Sequence, residues 1–245
     1  MNTKQLCSLL AAGALTAGVT LAALPGVAGA DTPTPATPAR SLDVAKARCT
    51  AAIDIRLADL TRLDASLSAA KNTTAAHKGT QTASNTAAAT GLTSLKAKIA
   101  SDTDAATVAS DCRSIYEGYR VFALRAPQTH LVIAGDAESF AVTKLDGVVP
   151  KLSDAIDKAA AAGKDVTAAK AALTDLQAKV ADAGTHANGL ADSVIGDVPA
   201  DYNANRGLLD PARANAKAAA ADLKAARVDV TTILATVRGT STAKG

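Results

Sequence analysis

The stretch VTAAKAALTDLQAKVADAGTHANGLADSV, residues 166–194, decides the fold. Val166, Leu173, Val180, Ala187 and Val194 recur every seven residues, and Ala169, Leu176, Ala183 and Leu190 follow the first four at an offset of three. Apolar positions alternating at three and four residues put one continuous stripe on an α-helix and predict a coiled-coil-like seam. Downstream, Ala216, Leu223, Val230 and Val237 with Ala219, Ala226 and Ile233 repeat the pattern, so two seam-bearing helices are expected to pair antiparallel. Asp210-Pro211 reads as a cap followed by a proline in the first turn of the second of them.

Working towards the N-terminus, Gly163 supplies a helix stop after a segment that carries Phe140, Leu145, Val149, Leu152 and Ile156, with a kink expected at Gly147 and Pro150. Tyr119-Arg120-Val121-Phe122-Ala123-Leu124 is β-prone and runs into Pro127; it predicts a break in the helical pattern, with helix resuming near Thr129. Before it, a helix with Val108, Cys112, Ile115 and Tyr116 is capped by Ser101–Asp104. A weaker, Thr-rich helix interrupted by Gly79 and Gly91 reaches Leu92, Leu95 and Ile99. The first helix, expected from Leu42 to about Ala70 behind an N-cap at Ser41, aligns Cys49, Ile53, Leu57, Leu60, Leu63 and Leu67 on one face. LTSLKAKIAS (92–101) and LTDLQAKVAD (173–182) agree at six of ten positions, which reads as an internal duplication or as shared helix vocabulary; the flanks do not match and favour the second.

Composition supports an all-α class. Aromatics are 2% of the 245 residues and Trp is absent, so Ala, Leu and Val do the packing. Alanine is the strongest helix former, and its small side chain lets helices approach closely. The expected architecture is an elongated antiparallel bundle of about five to six coiled-coil-like helices. Its units are residues 42–126 and 127–238, followed by a disordered tail at 239–245.

Residues 1–30 read as a secretory signal: Lys4, an apolar stretch from Leu9 to Leu24 rich in small residues, then Val27-Ala28-Gly29-Ala30 with the A-x-A pattern. Removing them takes away one Lys and no acid, leaving 25 basic against 23 acidic residues, a balance without the basic excess of a nucleic-acid binder. Asp31 to Arg40 alternates prolines and favours an extended leader over residues 31–41. No Cys follows the apolar stretch directly, and no later run is long enough to anchor the chain in a bilayer. The expected location is extracellular, with the cell wall as one destination.

Cys49 and Cys112 are then the two cysteines left in an oxidising compartment, and a disulfide is expected. In an up-down-up arrangement the first and third helices run parallel. Counted from the helix starts at about 1.5 Å per residue, the two cysteines differ in height by only about 3 Å.

Motifs for chemistry are missing. His77, His130 and His186 show no H-x-x-x-H or H-E-x-x-H spacing, and there is no G-x-S-x-G elbow, Walker-type loop or dinucleotide-binding turn. Asp102 and Asp104 open like a calcium loop, yet Thr107 and Arg113 stand where Gly and Glu are required. No cofactor and no metal are expected. One dense cluster remains: Arg113, Tyr116, Tyr119, Arg120, Phe122 and Arg125, with three of the five aromatics of the chain. It offers stacking rings and donors as an interaction surface, or packs as the knot between two helical halves.

At Tyr119-Arg120-Val121-Phe122 with Pro127 and His130-Leu131, at Ala162-Gly163-Lys164-Asp165-Val166, and in the spacing of Cys49, Ile53 and Arg56, the chain resembles exported alanine-rich helical proteins of high-GC Gram-positive bacteria (actinobacteria). The resemblance extends loosely from Cys49 to about Ala235 and implies export and a helical fold, with no active site to transfer. The expected function is a non-enzymatic secreted or cell-envelope helical protein, a spacer or interaction module for a protein or envelope component. The alternative is a lipid-surface or envelope-ligand binder using amphipathic helices. Seams satisfied within the chain make a monomer, and an exposed seam makes an oligomer.

Overall fold

The computed structural model describes residues 38–239. The expected signal at residues 1–30, most of the expected leader and residues 240–245 lie outside the described residues. The described chain is all-α: α1 Pro38–Ala69, α2 Ala75–Ser101, α3 Ala105–Glu117, a π-helical turn Val121–Arg125, α4 Ala126–Asp146, α5 Val149–Ala161, α6 Thr167–Ala187, α7 Leu190–Ile195, α8 Pro199–Ala204 and α9 Asp210–Arg238.

α6 and α9 make the most extensive pairing. Their direction is fixed by three cross-links: Lys164 Nζ donates to the Val237 carbonyl (2.7 Å), Lys179 pairs with Asp222 (3.6 Å), and His186 Nδ1 meets Asn215 Oδ1 (3.4 Å). Each advance along one helix is matched by an equal retreat along the other, so the pair is antiparallel and keeps one register. The heptad residues form the contact: Ala169, Leu176, Ala183, Ala219, Ala226 and Ile233 are wholly buried. Methyl-sized side chains on both helices allow the close approach that larger residues forbid.

The expected single helix over 166–194 is broken. α6 ends at Ala187, Gly189 turns left-handed at φ 69°, and α7 restarts at Leu190. The seam nevertheless continues, because Leu190 and Val194 are buried at 2% exposure each. Similarly, the expected kink at Gly147 and Pro150 is a full break between α4 and α5. Gly163, at φ +78°, ends the following turn as expected.

α1 and α2 form an antiparallel hairpin, shown by Lys46 to the Ala100 carbonyl, Lys96 to Asp54, Asn85 to Asp64 and Lys78 to the Ser68 carbonyl. α3 returns parallel to α1, as the cysteine heights require. A first core gathers Ile53, Leu60, Leu63, Leu92, Ile99 and Ile115 from these three helices, closed by Val121 of the π-turn. A second joins Leu124, Leu131 and Val132 to Leu190, Val194 and Leu209.

Three starts differ from expectation. α1 begins at Pro38, whose fixed φ and missing N–H suit a first turn, so Ser41 lies inside the helix and the end of the leader is helical. Leu209 rather than Asp210 is the N-cap of α9; Asp210 is its first residue, and its carboxylate takes the Arg213 guanidinium at 2.8 Å. The β-prone segment 119–124 forms no strand. Val121 and Leu124 are needed in the helical cores, and tertiary packing overrides strand propensity there. The expected break occurs earlier, at Gly118–Arg120, and helix resumes at once.

Candidate interaction surface and the His77 bridge

Cys49 of α1 and Cys112 of α3 stand at disulfide distance, with Cα atoms 5.5 Å apart. One to two turns further along the same pair of helices, Arg56 projects from α1. Its guanidinium donates to the Ala52 carbonyl at 2.8 Å and lies over two rings, Tyr116 at 4.4 Å and Phe122 at 4.9 Å from their centroids. Burial draws its pKa down from the ordinary arginine value, while Tyr116 and Asp59 pull the other way. Arg56 is only 7% exposed, yet Tyr116 and Phe122 are 49% and 47% exposed. The rings therefore present their outer faces to solvent with a cation held behind them.

The six residues of the sequence cluster take different places. Tyr116 and Phe122 share the Arg56 sandwich, and Arg113 is exposed on α3. Tyr119 turns inward onto α2, and burial raises its phenol pKa. Arg125 is buried; its guanidinium donates to Gln128 Oε1 at 3.1 Å and to the Asp197 carbonyl at 3.4 Å, and burial lowers its pKa. Arg120 adopts the left-handed conformation, φ 46°, which costs a non-glycine residue on the order of 1–2 kcal/mol. Asn203 of α8 holds it there: Arg120 Nε donates to Asn203 Oδ1 at 2.6 Å, and Asn203 Nδ2 donates to the Glu117 carbonyl at 3.0 Å. Arg120 and Arg206 also flank the Tyr202 ring. Arg56, which completes the sandwich, stands outside the sequence cluster and enters the sequence reading only through the spacing of Cys49, Ile53 and Arg56.

A second polar constellation joins α2, α4 and α7. Thr74 caps α2 by accepting the His77 backbone N–H. His77 Nδ1 lies 2.9 Å from both carboxylate oxygens of Asp136, and Nε2 lies 3.1 Å from Asp192 Oδ1. The Asp136 side chain is 8% exposed and also accepts the Thr74 backbone N–H at 3.0 Å; that of Asp192 is 74% exposed. Burial opposes charge on the ring, but hydrogen bonds to the two carboxylates and their negative charge outweigh it, and the His77 pKa is raised. Deeper on the same α2 face, Gln81 and Asn85 are wholly buried. Gln81 Nε2 donates to Thr129 Oγ1 (2.9 Å), and Asn85 Nδ2 donates to Asp64 Oδ1 (2.8 Å).

Among the described residues, no group of three or more His, Cys, Asp or Glu side chains is placed to hold a metal ion, and no helix is long and apolar enough to cross a membrane. A shallow, open groove runs between α1 and α2, lined by Leu60, Asp64, Thr86, Thr90 and Thr93. No protein-family model, no curated protein and no solved structure matches the chain.

Proposed function

We propose that this chain is a non-enzymatic helical protein, exported on residues 1–30, that works outside the cell as a spacer and interaction module for a protein or cell-envelope component. The observation that carries the reading is the Arg56–Tyr116–Phe122 sandwich, two half-exposed rings backed by a guanidinium in a chain otherwise poor in aromatics. Exposed aromatics fixed by their neighbours lose little entropy on contact and are favoured at binding surfaces. The Cys49–Cys112 pair supports the location, since such bridges persist in oxidising compartments, and it lies on the two helices that carry Arg56 and Tyr116. His77, the ring held between two carboxylates, is engaged in joining helices, which supports a scaffold role for it.

The test is cosedimentation of the purified mature chain, residues 31–245, with isolated peptidoglycan sacculi and, separately, with lipid vesicles. Saturable binding to sacculi that falls at least tenfold in a Tyr116→Ala, Phe122→Ala double variant is the expected result. Binding that survives the double variant would remove the sandwich from the proposal. Binding to vesicles alone would replace the proposal with a lipid-surface function.

A further inference from the structure

We infer that a proton on His77 works as a clasp between α2 and α7: the doubly protonated ring ties Asp136 of α4 and Asp192 of α7 at once, and the neutral ring lets Asp192 go. An ionised carboxylate accepts hydrogen bonds and donates none. Each ring nitrogen of His77 faces one, so both contacts are hydrogen bonds only when both nitrogens carry hydrogen. A neutral imidazole has a single N–H, and the other nitrogen would then turn a lone pair towards a carboxylate.

The two contacts are unequal, and this decides which one opens. Asp136 is buried, receives the Thr74 amide as well and has no ready replacement for the Nδ1 proton. Asp192 is largely exposed and has water as an alternative partner. Loss of one proton therefore leaves Nδ1–H on Asp136 and breaks the Nε2 contact. The charged groups that face the ring are Asp136 from α4 and Asp192 from α7. Its neighbour Lys78, on α2 itself, is directed to the Ser68 carbonyl at the end of α1, 3.3 Å away.

α7 suits a released element. It has six residues and is set off from α6 by the left-handed Gly189. Its apolar side stays on α4, where Gly135 admits Leu190 and Ala191: a Cβ there would stand 2.9 Å from Leu190 Cδ2 and 3.0 Å from the Ala191 nitrogen. Opening the clasp thus frees the α2 side of α7 and leaves the α4 side packed. The sign follows from the raised His77 pKa. The tie is fully present below the ordinary histidine value of 6.5 and is lost as pH rises through the higher folded value. Glu138 on α4 shifts stability in the same sense and needs its own control.

The experiment uses the full chain. The ring nitrogens of His77 are titrated by NMR, assigned by the signal missing in His77→Gln, and backbone hydrogen exchange of α7 is measured at pH 5.5 and 8.5, corrected for the intrinsic pH dependence of exchange. The clasp predicts that His77 titrates above 6.5 and falls in Asp192→Asn. It also predicts that α7 protection drops about tenfold at the higher pH in the wild type and in Glu138→Gln, but not in Asp192→Asn. Titration at or below 6.5, an α7 response unchanged by Asp192→Asn, or one abolished by Glu138→Gln would each overturn it. Asp192 is at the surface, so its replacement leaves the cores intact, and the wild-type titration needs no variant beyond the assignment.

Discussion

The Tyr119 ring lies against Gly91: a Cβ built on that glycine would stand 2.6 Å from the Tyr119 hydroxyl oxygen and 2.7 Å from its Cε1. Glycine inside a helix costs about 1 kcal/mol relative to alanine, and α2 accepts that cost where the ring must approach its backbone. Gly91→Ala should therefore give no net gain in the wild type, because the ring has to move. In a Tyr119→Ala background the same change should stabilise by about 1 kcal/mol. Urea unfolding of the four proteins of this cycle measures the coupling, and equal effects in both backgrounds would disprove it.

A disulfide between Cys49 and Cys112 would close a loop with a sequence separation of 63. Replacing both residues with Ser should destabilise the chain by about 4 kcal/mol on the chain-entropy estimate. Denaturation of the double variant beside the oxidised wild type, together with mass spectrometry of the thiols, checks both the bond and its magnitude.

Glu138 has a carboxylate oxygen that is shielded from solvent and without a hydrogen-bond partner, and burial lifts its pKa from 4.5 to about 7. A carboxylate whose folded value is raised favours the fold at low pH and loses that contribution as pH rises from 4.5 through 7. Glu138→Gln should leave stability nearly unchanged near pH 4 and increase it above pH 7 by on the order of 1–2 kcal/mol, since solvent screens part of the effect at this partly exposed side chain. Thermal unfolding of both proteins across that range is the measurement; a difference independent of pH would contradict the assignment.

Ala219 and Ala226 of α9 are wholly buried against the alanine-rich face of α6. Ala226→Leu should force the helices apart and cost on the order of 1–3 kcal/mol, whereas a surface alanine such as Ala220 should accept Leu within about 0.5 kcal/mol. Chemical denaturation separates the two cases, and equal tolerance at both positions would show that the seam is loose.

The seam and the cysteine pair were legible because each rests on local spacing: a period of seven residues for α6 and α9, and equal heights on parallel helices for Cys49 and Cys112. Gly189, in an Asn-Gly pair, was a visible turn signal inside that period, but the heptad continues through it and masks the break. The His77 bridge was invisible to such reasoning. Its partners are 59 and 115 residues away, and spacing rules that look for a second histidine one helical turn off cannot find two aspartates on other helices. The same holds for Arg56, whose rings come from α3 and the π-turn. Strand propensity misled at 119–124, since the preference of Tyr, Val and Phe for strands reflects packing on a sheet, and the described residues offer none.

The pairing of α6 with α9 has a mechanical consequence. Alanine recurs along this track at seven-residue steps, so a slide of one heptad, about 10 Å, would set alanine on alanine again except where the bulkier Leu176 and Ile233 interrupt the repeat. Those two side chains and a set of pegs along the rim oppose the slide: Lys164 on the Val237 carbonyl, Lys179 on Asp222, and His186 at Asn215. The methyl groups supply the adhesion, while the two larger side chains and the pegs supply the position, so under load the helices would hold together and these few groups decide which notch they occupy.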